Sequence, residues 1–409
     1  MKKMLRNLLR RKASRPTTSH SEPVIHAGSN MSVLYQTWGL SGGALWYIDQ
    51  GYQNALSEGG YQWATWDPND DPQTLIKTIK KLEPECLLLT LQTIQRQASS
   101  WTEPEILQQL VELKESLGFK VACRSHPSNL DELFQQYPID FLQFKENVRS
   151  FYQQPQHPDV TEQAVFECGF IDVIRTAFFH GTFEVGFRNY LDLGCKVLEE
   201  PHAADLTTYQ TDSIAQSSSQ KADFDLLFVG GCWPFKWQNM QPYVEALKKK
   251  FGDRFRIYGQ NWPDNLSCGY LAEEDFNSTL RQSKINITLH ELSQTLAEPI
   301  SGNERVFKLG ALNCFALSDA NPLIEYHFHV DQEVAYCGDA EQMIERAEFF
   351  LANPDLRDQR VNATYQKVLN EHSYRRRIEQ IWHACESPEQ VTRYNSIAKP
   401  VELVAKVTR

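Results

Sequence analysis

The chain has 409 residues, 41% of them hydrophobic and 23% charged, and a formal net charge of −11. That length is enough for two domains of ordinary size, and the composition is that of a soluble globular protein. The acidic balance argues against nucleic acid as a partner, and no run of about 18 apolar residues offers a membrane span.

Of the nine cysteines, none forms a CxxC pair. An odd count without a secretory leader fits a reducing compartment, so a cytoplasmic location is expected. Cys86, Cys123 and Cys314 fall in strand-like runs, where a thiol packs as a small hydrophobe. The spacing of Cys and His suggests no metal site.

Residues 1–30 form a distinct arm. Seven basic residues, from Lys2 to Arg15, stand against Glu22 alone; this gives +6 on the arm and −17 on the rest. Met4, Leu5, Leu8 and Leu9 recur among them at helical spacing. Two readings are open: a solvated disordered tail, or a basic amphipathic helix on an anionic membrane at its cytoplasmic face.

A first domain is expected over 31–209. Ser32–Trp38 reads as a buried strand, Gly39–Gly43 as a glycine loop and Ala44–Leu56 as a helix, the opening of a Rossmann-like unit. Glycines let a ligand approach the backbone, which makes Ser41, Gly42 and Gly43 cleft candidates, although such a turn also serves simply to connect. Helices at Pro72–Leu82 and Pro104–Leu117 alternate with strands at Cys86–Leu91 and Phe119–Cys123, and Gly118 suits a helix C-cap. His126 follows that last strand and reads either as a general base or as a cap of the next helix. Asp67, after the strand-like Gln62–Trp66, is the second candidate base. Further strands are expected at Ile139–Leu142, Asp172–Ala177 and Cys195–Leu198, with one helix from Thr182 to Gly194.

Polar residues 210–222 read as a linker and 223–385 as a second α/β domain, followed by a tail at 386–409. Its first strand, Asp225–Val229, runs into Gly230-Gly231, with Lys236 close behind. A helix at Met240–Phe251 and strands at Phe255–Gly259 and Asn286–Leu289 follow. His290 closes the last of these and opens a long polar loop to Asn303. Next come Glu304, Arg305 and a short apolar helix, Asn313 in a position suited to a left-handed turn, and the strand Cys314–Leu317 closed by Ser318-Asp319. Arg305 opens its helix, where a cation meets an anion. Val334–Cys337 is a strand, Asp339–Leu351 a helix, and one long helix covers 365–378. The run Arg375–Arg377 reads as a solvated face.

The stretch 303–319 resembles the donor-binding segment of GT-B glycosyltransferases, most closely the CgeB-like group. Its pattern there is Arg-x-Phe-Glu, small residues, Gly, then an apolar strand ending in Ser/Thr-Asp. Arg305, Phe307, Ser318 and Asp319 match it. Lys308 stands where that group has the Glu that holds the donor ribose, and Asn313 stands where it has Gly. Pro201-His202-Ala203-Ala204-Asp205 is similar to the passage leaving the group's first domain, and His372, Tyr374 and Arg377 to its C-terminal motif.

The resemblance implies an α/β protein of GT-B type: two Rossmann-like domains with parallel sheets facing a central cleft, and a C-terminal helix crossing back. It implies transfer of a sugar from a UDP- or GDP-type nucleotide-sugar to a glycan, lipid or protein acceptor, with no bound cofactor or metal. Gly230, Gly231, Lys236, His290, Asn303, Glu304, Arg305 and Lys308 would then meet the donor, and His202 would line the cleft. Two alternatives stay open: a degenerate binding or scaffold subunit, suggested by Lys308, and a nucleotide-sugar epimerase on the same fold.

Overall fold

The computed structural model describes residues 23–39, 44–91, 99–125, 165–177, 183–209, 224–232, 234–263, 266–290, 304–329 and 332–387. The first half contains Asn30–Gln36 (β1), Ala44–Glu58 (α1), Tyr61–Trp66 (β2), Pro72–Leu82 (α2), Cys86–Thr90 (β3), Pro104–Leu117 (α3), Lys120–Arg124 (β4) and Val173–Thr176 (β5). The short helices Phe183–Gly186 (α4) and Arg188–Asp192 (α5) lead to Lys196–Glu199 (β6), and Leu206–Tyr209 (α6) follows. The second half contains Phe224–Val229 (β7), Pro234–Phe251 (α7), Phe255–Tyr258 (β8), Glu273–Arg281 (α8), Ser283–Thr288 (β9), Arg305–Ala311 (α9), Ala316–Asp319 (β10) and Pro322–His327 (α10). Ala335–Cys337 (β11), Ala340–Ala352 (α11), Pro354–Glu371 (α12) and Tyr374–Glu386 (α13) complete it.

The strands make two sheets, ordered β2-β1-β3-β4-β5-β6 and β11-β10-β9-β7-β8. Every ladder between these strands is parallel. Such strands are covered on both faces, which is why β3 is buried at all its positions and reads as an unbroken apolar run. Each sheet is wound outward from its first strand in both directions. The order therefore reverses between β1 and β3 and again between β7 and β9. In open α/β sheets these switch points open crevices at the carboxyl ends of the strands, where ligands bind.

Local chemistry explains the helices. Pro72 starts α2, the Asp71 side chain accepts the Gln73 N–H, and Leu75, Ile76, Ile79 and Leu82 turn inward. Gly118 caps α3 at φ +76°, as expected. One face of the first sheet is covered by α2, α3 and Phe170. The other is covered by α1 and by α13, whose Tyr374, Ile378, Ile381, Ala384 and Cys385 join Val33, Tyr35, Leu88 and Ala122 in one core. The C-terminal helix thus crosses back onto the first sheet.

Several expectations need correction. The single final helix is two helices, because Ser373 is extended (φ −96°, ψ 158°) and caps α13 by accepting the Arg376 N–H. Ser373 also pairs with Ala204, so the two passages between the halves run side by side. Arg377 is not on a solvated face. It is 2% exposed and donates to the carbonyls of Pro201 (2.9 Å), His202 (3.1 Å) and Glu371 (3.1 Å), while its Nη2 lies 3.0 Å from His372 Nδ1. The helix expected from Thr182 breaks at the buried Phe187. The strand closes at Ser318-Asp319 as expected but begins at Ala316 rather than Cys314, and α8 and α10 were not foreseen. Residues 23–30 already pack on the first sheet, where His26 stacks on Trp63 at 3.9 Å. Residues 1–22, the strand at 139–142, the linker at 210–222 and the loop at 291–303 lie outside the described residues.

Candidate functional site

The second-sheet crevice is built on a glycine turn. The Gly230 N–H donates to the Tyr258 carbonyl (2.9 Å), and its own carbonyl accepts the Trp262 indole N–H (2.8 Å). The turn is therefore held from both sides. The guanidinium of Arg305, the first residue of α9, lies 4.7 Å from the Phe228 ring centroid and donates to the Leu289 carbonyl at the end of β9 (3.3 Å). A Cβ at position 230 would sit 2.7 Å from Arg305 Nη2, so glycine is what admits the cation there. Arg305 thus bridges the ends of β7 and β9, across their switch point. The Gly231 N–H makes no hydrogen bond among the described residues. The N-terminus of α7 follows three residues later. A cation, an open N–H and a helix N-terminus at a switch point together suit an anion.

His290 lies two residues beyond β9, and Asp319 ends the adjacent strand β10. The His290 backbone N–H donates to Asp319 Oδ1 (3.0 Å) and Oδ2 (3.1 Å), and its Nδ1 lies 2.7 Å from Oδ1. Both side chains are at most 2% exposed. With Nδ1 turned to the carboxylate, Nε2 is left enclosed with no partner among the described residues. Glu325 of α10 is close enough to feel this pair. Burial holds its carboxyl above the usual range, against the Asn321 backbone hydrogen bond and the His290 charge.

Lys308 is buried and paired. Its Nζ lies 2.5 Å from Glu304 Oε1, 4.4 Å from the Tyr47 ring centroid and 5.3 Å from that of Tyr209. The reversed charge at 308 is therefore absorbed one helical turn earlier, and the side chain ties α9 to α1 and α6. Glu304 Oε2 is enclosed and has no partner among the described residues.

The first-sheet side is furnished with side chains. Arg124 ends β4 and lies beside Arg175 in register. Arg175 is fully buried against Glu200 (3.0 Å), Tyr52 Oη (3.2 Å) and the Leu89 carbonyl (3.3 Å). The Arg124 guanidinium lies 5.7 Å from the Trp38 ring centroid. Asp49 of α1 accepts from Tyr35 Oη (2.7 Å) and the Trp38 N–H (2.9 Å). Burial raises its carboxyl to about 7 although those bonds pull it down. His202, at the crossover, is pushed down to about 4 by burial and then by Arg124 and Lys308, with Glu304 opposing. Its imidazole is neutral at pH 7, and it feels the charges of Arg124, Glu304 and Lys308.

The structure thus brings together Gly230, Gly231, His290, Glu304, Arg305, Lys308 and His202. Asp67 belongs to the first-sheet side: its Oδ1 accepts the Asn69 N–H (2.9 Å) and Nδ2 (2.8 Å) beside Gly39, and its charge adds to the upward shift of Asp49. Lys236 is in the first turn of α7, with its side chain outside the described portion. His126, Asn303, Ser41, Gly42 and Gly43 lie outside the described residues. Arg124, Asp49 and Glu325 carry no motif that marks them in the sequence. The position of Arg124 at a strand's carboxyl end, two residues before His126, was the available signal.

Residues 238–383 match the profile of the glycosyl transferase-like family. No curated protein matches the sequence. Among solved structures, 87% of the chain aligns with 98% of sucrose-phosphate synthase from Thermosynechococcus elongatus at TM-score 0.54 and 10% identity. An alpha-glucosyltransferase solved with UDP and a mismatched 13-mer DNA gives TM-score 0.54, 11% identity, and coverage of 87% and 99%. The fold is GT-B. A glycosyltransferase from Rickettsia africae agrees, at TM-score 0.50 and 12% identity over 88% of this chain and 100% of that one. In the GT-B arrangement the two switch-point crevices face one cleft, and the matched profile covers α7 to α13, including His290, Arg305 and Arg377.

Proposed function

We propose that this chain is a glycosyltransferase of CgeB-like type, moving a sugar from a nucleotide-sugar to a hydroxyl of a glycan, lipid or protein. The observation that carries the proposal is Arg305 laid across the β7/β9 switch point, beside the open Gly231 N–H. In this reading residues 223–385 supply the donor side and residues 31–209 the acceptor side. The donor diphosphate lies on Arg305, the Gly231 N–H and the start of α7, with Lys236 as a further cation. Glu304, held by Lys308, supplies the ribose carboxylate one turn before its usual place, alongside Asn303. A donor hydroxyl completes the bond that His290 Nε2 lacks. UDP is the first nucleotide to try, because one structure sharing the fold was solved with it; GDP is the second.

In the transfer, the acceptor oxygen forms a bond to the anomeric carbon as the bond from that carbon to the phosphate oxygen breaks. The electron pair leaves with the diphosphate, whose growing charge falls on Arg305 and the backbone donors. No bound metal is invoked. The proton of the acceptor hydroxyl goes to a base on the first-sheet side in an inverting route; His126 is the first candidate and Asp67 the second. Ser41, Gly42, Gly43 and His202 line the acceptor side. A cytoplasmic location, with residues 1–30 touching an anionic membrane, belongs to the same proposal. Among the described residues no helix is long and apolar enough to cross a membrane.

Calorimetry and thermal shift with UDP, GDP, ADP, CMP and their sugar conjugates test the donor site, because a bound nucleotide stabilises the native state. A hit names the donor. No hit at millimolar nucleotide overturns the transferase reading in favour of a binding or scaffold subunit. Conversion of the donor with no acceptor present would instead identify an epimerase.

A further inference from the structure

We infer that Arg124, lying over the Trp38 ring at the carboxyl end of β4, is an oxyanion site that holds a phosphate or carboxylate carried by the acceptor. The inference rests on the glycosyltransferase reading for the word acceptor, and on this chain's own geometry for the site. Arg124 and Arg175 are neighbours in register on β4 and β5. Arg175 has Glu200 as its counter-ion at 3.0 Å. The Arg124 guanidinium has no carboxylate partner and donates no hydrogen bond among the described residues. Two cations side by side, with one carboxylate between them, leave a net positive charge on this wall of the cleft.

The nearby acids do not supply the missing counter-ion. Asp49 is committed to Tyr35 Oη and the Trp38 N–H, and burial keeps it substantially protonated near neutral pH. Glu304 is committed to Lys308. Burial and Arg175 lower the Arg124 pKa to about 10, which still leaves it charged at pH 7. Its planar fork presents several donors in a fixed geometry matched to phosphate and carboxylate oxygens. The Trp38 ring supports one face of the guanidinium, and Asp49 fixes the Trp38 backbone, so the cation is held ready before a ligand arrives. His202 feels the charges of both Arg124 and Glu304, so the two lie within electrostatic reach of one imidazole.

The test uses the full chain in an Arg305→Gln background, which silences the donor cradle. Inorganic phosphate and sodium acetate are titrated separately by calorimetry, one probe for each kind of oxyanion. Saturable binding of either probe is expected, weakened at least tenfold by Arg124→Gln and restored within threefold by Arg124→Lys. A binding signal that survives Arg124→Gln, or the absence of any signal from both probes, overturns the inference. In the otherwise unaltered chain, Arg124→Gln is expected to leave UDP affinity within twofold. A tenfold loss there would move Arg124 into the donor site and also overturn the inference. If no nucleotide binds at all, the transferase reading fails while the phosphate and acetate titrations still decide the oxyanion site. The urea midpoint of each variant checks that it is folded.

Discussion

The two halves are wound alike but furnished differently at their switch points. At β7/β9 the strand leaves through Gly230-Gly231, and the groups on offer are a backbone N–H, a helix N-terminus and one cation pressed onto a glycine. At β1/β3 the corresponding exit is Trp38, whose N–H is already given to Asp49, followed by Gly39 at φ +64° against Asp67. There the polar groups are side chains: Arg124, Asp49, Tyr35 and the Arg175–Glu200 pair. In the proposed reading, backbone donors and glycine suit a diphosphate common to every donor, whereas side chains suit an acceptor whose identity must be read. One topology has thus produced two different kinds of crevice.

The comparison matters only while the two crevices keep their relation, and Arg377 is the residue that fastens them. It joins the Pro201 and His202 carbonyls of one passage to Glu371 and His372 of the other. Arg377→Met removes these bonds and leaves buried carbonyls unpaired, so a loss of about 3–5 kcal/mol is expected in urea unfolding. A loss below about 1 kcal/mol would show that the passages hold without it.

Next in size is the donor cradle. Arg305→Ala is expected to weaken nucleotide binding by at least about 100-fold, close to 3 kcal/mol, without unfolding the chain. Unchanged affinity would remove Arg305 from the diphosphate and sink the contrast drawn above. Gly230→Ala sharpens it. The added Cβ must displace Arg305 Nη2, so about a tenfold loss of nucleotide affinity is expected, near 1.4 kcal/mol, with oxyanion binding at Arg124 unchanged.

Much of the fold was legible because parallel strands buried on both faces read as apolar runs between amphipathic helices. The glycine turn and Arg305 were legible as local motifs. The Lys308–Glu304 pair was readable in principle, being an i,i+4 spacing, but the rings of Tyr47 and Tyr209 that complete its surroundings come from remote segments. Arg377 was misread because three consecutive arginines resemble a solvated face. The inward stripe Tyr374, Arg377, Ile378, Ile381 carries the contrary signal, since residues three and four apart share a helix face. Arg124 could be placed at a strand end by sequence. That it lacks a partner while its neighbour has one depends on Glu200, which arrives from β6, and no local pattern states that.

The smallest expected effect separates the two sides by pH. Asp49 has its folded pKa raised to about 7 from an ordinary 3.8. Between these values the native protein keeps a proton that the unfolded chain releases, so stability falls as pH rises toward 7. His202 has its folded pKa lowered to about 4 from 6.5. In that window the unfolded chain takes a proton that the native protein refuses, so stability rises with pH; His372, also lowered by burial, adds to this slope. The two slopes oppose each other and partly cancel. Glu200, raised to about 8 by burial, adds to the Asp49 slope, so Asp49→Asn is expected to leave a chain that gains more, or loses less, stability from pH 4.5 to 6.5 than the unaltered chain, and His202→Gln one that gains less, or loses more. Each difference should be about 1 kcal/mol in urea midpoints, because solvent access discounts the full shifts. The same pH slope in both variants would mean that neither group is desolvated as described. Asp49 would then be an ordinary ionised counter-ion for Arg124, and the oxyanion site would lose its reason to exist.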